Sequence, residues 1–337
     1  STLQVDITQG KAIDDNGFQV ELATVIENSF NIHQEGQRLV FREDENPQAK
    51  LMASARNDKL FSDGEDLVQL AKEVRYVVGG SEEVAKTFRV IALPRQWLTD
   101  PWTALDEAEH PDRWDERLPI LLLPEEPDKI NERLGRWLKE HLQRRRNTIR
   151  FLLPRAGSSN AFYDRYLLIL ARVAMKAQEW SGQNPEYRKL HTKYQGELRD
   201  ILKKRFDRFA VLHRWNFADP ERCEFSVEAL REQGAKIPEA LEQAVVNDLF
   251  VPEDFQALVL EAAADNASVG KLLKELQEPR AGGLDCTPWL GESAMKERIV
   301  RLCARGKIAI NLRGMEYLQS QPGEDEVGLG EVHALRV

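Results

Sequence analysis

The first residues to weigh are the glycine–lysine pairs at 10–11, 270–271 and 306–307. A P-loop needs G-x-x-x-x-G-K-[ST], because glycine backbone folds round the phosphates and the lysine reaches them. In the two later pairs the first glycine position holds Asp265 and Arg301, and the three lysines are followed by Ala12, Leu272 and Ile308. No P-loop is present. His33, His110, His141, His191, His213 and His333 show no i,i+4 pairing, so no zinc-binding helix is written here. Cys223, Cys286 and Cys303 are odd in number and widely spaced, which fits neither a metal-ligand pair nor a disulfide framework. Gly157-Ser158-Ser159 follows a strand-like run, as a nucleophile elbow would, but lacks the second glycine and reads as a helix cap. Acidic pairs such as Glu125-Glu126 cannot be matched across space from sequence. The expectation is no catalytic set, no metal and no cofactor.

The basic residues carry the one positive signal. Arg144, Arg145 and Arg146 are consecutive at the end of a helical pattern, and Lys203, Lys204 and Arg205 repeat the arrangement later. The helix dipole favours cations at such ends by roughly 0.3–1 kcal/mol. One or two would serve that purpose, and three in a row point in different directions. Arg56 and Lys59 lie in the polar cluster Ser54–Lys59, and Arg301, Arg305 and Arg313 lie near the C-terminal end with Lys296, Arg298 and Lys307. These are read as candidate nucleic-acid or anion-binding residues, with the first two clusters forming one surface. The competing reading is solvated helix faces. Net charge is −9, yet Lys129–Arg155 holds nine Lys/Arg against two Glu, and a local basic patch binds anions despite a negative total.

The elements that must position these side chains are legible in part. Ile130, Leu134, Trp137, Leu138 and Leu142 predict a helix over Lys129–Gln143. Runs at Phe88–Pro94, Leu118–Pro124 and Thr148–Pro154 predict strands covered on both faces. Two long helical patterns follow, about 160–180 and 185–210, the first capped at Ser158–Asn160 and the second at Asn184 before Pro185. So short a linker predicts an antiparallel hairpin, a structural arm or a grip on a partner. The tryptophans Trp97, Trp102 and Trp114 in the irregular stretch 95–117 read as glue for a long loop. After the hairpin, Phe209–Phe217 and Glu224–Val227 predict two strands. Helices follow over Ile237–Asn247, Phe255–Ala264 and Ser268–Leu276.

The fold expected is α/β in a mixed α+β form: a small central sheet with helices, a long antiparallel helical hairpin and winged-helix-like end units. The expected boundaries are a helix plus β-hairpin at 1–45, a small α/β domain at 46–157, the hairpin at 158–210, and return strands and helices at 211–280. A helix–wing unit capped at Ser293 occupies 281–320, and a partly loose acidic tail 321–337. A hydrophobic content of 42% with 31% charged residues fits a globular chain. No apolar run reaches membrane length, no signal pattern opens the chain, and the cysteine usage fits a reducing cytoplasm.

Several phrases together resemble one family. They are Arg38-Leu-Val-Phe-Arg, Glu45-Asn-Pro-Gln-Ala-Lys-Leu and Ser54-Ala-Arg-Asn-Asp-Lys-Leu-Phe; Leu118–Pro124 with Asn147–Pro154; the basic hairpin leading into Phe209-Ala-Val-Leu; and the closing helix–wing. The chain is similar, over roughly residues 20–320, to the C-terminal region of large prokaryotic AAA+-like P-loop ATPases of unassigned function, encoded beside DNA methyltransferases in anti-phage defence clusters. In that family the ATPase motifs lie upstream. The resemblance therefore implies a non-catalytic accessory region that binds nucleic acid or partner subunits, including the upstream ATPase domain. A structural or protein-interaction module without nucleic-acid contact stays open, as does an enzyme with its site at the sheet edge.

Overall fold

The computed structural model describes residues 14–36, 38–231, 236–280, 284–312, 315–317 and 334–336. In chain order the helices are α1 (Asp15–Asn28), α2 (Pro47–Ala55), α3 (Glu65–Gly79), α4 (Glu82–Thr87), α5 (Ile130–His141), α6 (Arg165–Trp180), α7 (Pro185–Lys203), α8 (Ile237–Ala244), α9 (Pro252–Ala264), α10 (Val269–Glu275) and α11 (Glu292–Ala304). The strands are β1 (Ile32–Glu35), β2 (Arg38–Phe41), β3 (Phe88–Ala92), β4 (Leu118–Leu122), β5 (Arg150–Pro154), β6 (Phe206–Arg214), β7 (Glu224–Ala229), β8 (Ala309–Leu312), β9 (Met315–Tyr317) and β10 (Ala334–Arg336). The fold is mixed α/β and forms two units, Ser1–Glu73 with Phe162–Ile201 and Val74–Ala161 with Leu202–Val337. Residues 46–73, placed by sequence in the α/β domain, thus belong with the helical hairpin.

In the first unit, α1 runs into the antiparallel β1–β2 hairpin. Asn46 ties them together: its amide donates to the carbonyls of Ile26 at 3.2 Å and Ile32 at 2.6 Å, and its oxygen caps α2 at Gln48 N. Helices α6 and α7 are antiparallel, as their partners show. Tyr166 meets Glu197, His191 Nδ1 meets the Ala174 carbonyl at 2.9 Å, and Trp180 meets Tyr187. Leu170, Val173 and Ala177 of α6, with Tyr187, Leu190, Tyr194 and Leu198 of α7, are buried as the helical spacing requires, whereas Tyr166, expected in the same α6 stripe, is exposed and Leu167 is buried instead. Two further expectations need correcting. Asp164, rather than Ser158–Asn160, caps α6, accepting from Tyr166 N and Leu167 N. Helix α7 ends at Lys203, short of the expected 210, and β6 begins at Phe206, three residues before the strand expected from Phe209. The run Phe209–Leu212 is buried throughout, and pairing with β5 on one side and β7 on the other overrides the helical spacing of the two phenylalanines.

The second unit is built on a five-stranded sheet in the order β3-β4-β5-β6-β7. The first three strands are parallel and the last two pairings antiparallel. The register aligns Ile91, Leu121, Phe151 and Ala210 across one face, where they pack with Leu134, Trp137 and Leu138 of α5. The tryptophan loop lies on this face, fixed at both its apolar and polar ends. Trp97 Nε1 donates to Glu125 at 3.0 Å, Trp114 Nε1 to the Glu109 carbonyl at 2.8 Å, and Trp137 Nε1 to the Trp97 carbonyl at 2.7 Å. On the opposite face Arg150, fully buried, bonds Glu242 of α8 through Nε at 3.1 Å and Nη2 at 3.2 Å.

Near the C-terminal end, α11 leads into an antiparallel sheet in the order β10-β8-β9. The left-handed Gly306, at φ 70°, turns the chain out of the helix, a conformation glycine adopts without a Cβ clash. The cap of α11 is Gly291, not Ser293. Of the tail expected to be partly loose, residues 334–336 form strand β10, and 318–333 and 337 lie outside the described residues.

Candidate functional site

The arginine run leaves α5 through a 3-10 turn in which Arg145 is left-handed at φ 64°. Arg144 is exposed. The other two are already engaged. Arg145 donates from its backbone to Glu278 and from Nη1 to the Trp114 carbonyl at 3.1 Å. Arg146 stacks over Trp215, 5.2 Å from the ring centroid, with Nε near the Leu138 carbonyl at 3.4 Å. Burial pushes the Glu278 carboxyl up from its ordinary pKa, and the Arg145 amide with the charges of Arg146 and Arg144 pulls against it.

Lys203 and Lys204 are exposed, and Arg205 donates from Nη2 to the carbonyls of Pro124, at 2.9 Å, and Ser159. The register of the sheet sets this cluster apart from Arg144–Arg146 along β5. Arg150 pairs with Val211 and Pro154 with Phe206, so one cluster precedes β5 and the other flanks its far end. Five residues at about 3.3 Å each separate them.

Arg56 and Lys59 are exposed in the first unit, Arg56 bonding Asn28. The polar cluster around them has a structural task. Asp58, at 2.7 Å, and the Ala55 carbonyl, at 3.0 Å, receive Nη1 of Arg172, whose Nε bonds buried Asp66 at 2.8 Å and whose guanidinium lies over Phe61. Arg172 holds the Asp58 carboxyl below its ordinary pKa. Sequence reasoning missed Arg172, a cation within an otherwise apolar stripe.

The third group converges best. Arg298 and Arg301 of α11 and Arg305, its C-cap residue, fall at i, i+3 and i+7 and line one wall of a cleft of about 400 Å³. The other walls are Val246, Phe250, and Pro252, Glu253, Phe255 and Gln256 from the first turns of α9. Arg298 lies 4.8 Å over the Phe250 ring and donates to the Ala294 carbonyl at 3.0 Å. Burial lowers its pKa from the ordinary arginine value; Glu297 and Glu242 oppose this and Arg301 adds to it. Arg301 pairs with Glu297. Arg313 lies outside the described residues. The i, i+3, i+7 spacing was visible in the sequence; the opposing turn of α9 was not.

No family model, curated protein or solved structure matches the chain. The resemblance to defence-associated ATPases thus rests on residue pattern alone. Among the described residues no three His, Cys, Asp or Glu side chains gather as a metal site, and no helix is long and apolar enough to cross a membrane. At the C-terminal end of the parallel strands, where α/β folds place ligands, Glu126 is committed to Arg208 at 2.8 Å and to the Gly157 amide. Arg208 holds that carboxyl below its ordinary pKa.

Proposed function

We propose that this chain is a non-catalytic region that binds nucleic acid through the phosphate backbone. The observation that carries the reading is the helix followed by antiparallel strands near the C-terminal end, with Arg298, Arg301 and Arg305 on one helix face above a cleft. This is a winged-helix-like arrangement, and guanidinium groups on one face suit phosphate oxygens, which accept paired N–H donors. The sequence offers no phosphate cradle for ATP hydrolysis, so any engine would lie in another domain or subunit. That agrees with the resemblance to the accessory region of a P-loop ATPase from anti-phage clusters.

The test is a fluorescence-anisotropy titration of the whole chain with labelled single- and double-stranded DNA and single-stranded RNA at low salt. Saturable binding is expected for at least one of them. A flat titration for all three ends the reading and favours the protein-interaction one. That second reading has its own support in the first unit, where Val20, Val25, Phe30 and Phe41 are exposed on α1 and around the β1–β2 hairpin.

A further inference from the structure

We infer that the cleft between α9 and α11 seats a single phosphodiester group, and that Arg298 is its inner ligand while Arg301 and Arg305 close over it. The inference rests on the nucleic-acid reading and assigns the contact to particular side chains.

Three guanidinium groups line the cleft, against the carboxylate of Glu253 in its wall and that of Glu297, which pairs with Arg301. Glu242, the other acid acting on Arg298, is already matched by buried Arg150. One positive charge is left over, which is what one phosphodiester neutralises. A phosphate monoester brings about −1.5 to −2 at neutral pH and exceeds it.

The Arg298 guanidinium is fixed from two sides, with Cζ over the Phe250 ring and Nη1 donating to the Ala294 carbonyl, so it is held in place before a ligand arrives and keeps its remaining N–H groups for one. Phe250 and Phe255 are buried and pack on each other at 5.6 Å, so they form the floor and offer no face for a base to stack on. The contact is therefore with the backbone, independent of sequence. Across the cleft, the cap residue of α9 is Val251, which supplies no side-chain acceptor to the first-turn N–H groups.

Arg301 and Arg305 are exposed, so substituting them should leave the fold intact. The experiment compares wild type with Arg301→Gln/Arg305→Gln, with Arg305→Gln alone should the double variant fold poorly, and with Arg222→Gln, an exposed arginine outside the cleft, as control. Each is titrated with the tightest-binding labelled oligonucleotide and, separately, with ATP. The double variant is expected to bind the oligonucleotide at least about tenfold more weakly, with the control unchanged. Its plot of log K against log salt should flatten by about 0.9 for each duplex phosphate it no longer neutralises. Unchanged oligonucleotide affinity in the double variant overturns the cleft assignment and leaves the nucleic-acid reading standing. No oligonucleotide binding by wild type overturns both. ATP binding that depends on these arginines without oligonucleotide binding also overturns it, by making a free nucleotide the source of the phosphate.

Discussion

Arg145 and Arg146 are each engaged inside the second unit, Arg145 with the Trp114 carbonyl and Arg146 with the Leu138 carbonyl and the Trp215 ring. Replacing both with alanine is therefore expected to lower the melting temperature, since a hydrogen bond from a charged group contributes roughly 1.5–3 kcal/mol. Arg144→Ala, at an exposed position, should leave it within the scatter of surface substitutions. Thermal denaturation of these variants checks this; equal melting temperatures would mean that none of the arginines holds the turn. Arg172→Met should be costlier still, about 3–5 kcal/mol, because it strands Asp66 in the interior without its partner. Glu278 yields a pH test. A carboxyl raised by burial binds more protons folded than unfolded, so its contribution is present at low pH and lost as pH rises through the folded pKa. Glu278→Gln removes that titration, so the variant should gain stability relative to wild type as pH rises through the carboxylate range. A difference independent of pH would show that burial does not shift the group. None of these partnerships was legible in the sequence: Asp66 and Arg172 are 106 positions apart, and only the fold brings them together.

Helix phase was the most legible element, because 3.6-residue periodicity is a local property, whereas the caps of α6 and α11 fell on Asp164 and Gly291 instead of the expected residues. Leu198 sits in the hairpin seam as the spacing required and is fully buried. Leu198→Asp should destabilise the protein by several kcal/mol, seen as a large fall in melting temperature; a small one would place the residue on an open face. The boundary between α7 and β6 was not legible. Phe206 and Phe209 satisfy a helical spacing, and what decides their state is the sheet edge that β5 presents. Close approach of elements is equally invisible. Gly135 of α5 lies where an added Cβ would stand 2.0 Å from the Pro220 carbonyl oxygen, an overlap with backbone. Alanine favours a helix interior over glycine by about 1 kcal/mol. The clash reverses that sign, and Gly135→Ala is expected to cost about 1–3 kcal/mol net. A stabilised variant would show that α5 can move away from the 220–222 turn.

For the whole molecule, the proposed binding of an anionic partner is compatible with a net charge of −9 only if the cations are concentrated on one face. The sequence showed the clusters but not which of them open to solvent together. The Arg144–Arg146 and Lys203–Arg205 runs are divided by the length of β5, while Arg298, Arg301 and Arg305 share one cleft. Phosphate binding by such a face must release counterions, so salt is the most direct probe of the account. The decisive measurement is the affinity of the wild-type chain for its best nucleic-acid ligand over a range of salt concentrations. Binding through phosphates requires a straight fall of log K with log salt, at a slope of about −0.9 per phosphate neutralised on a duplex or about −0.7 on a single strand. Binding that does not change with salt, or none even at the lowest salt, would contradict it.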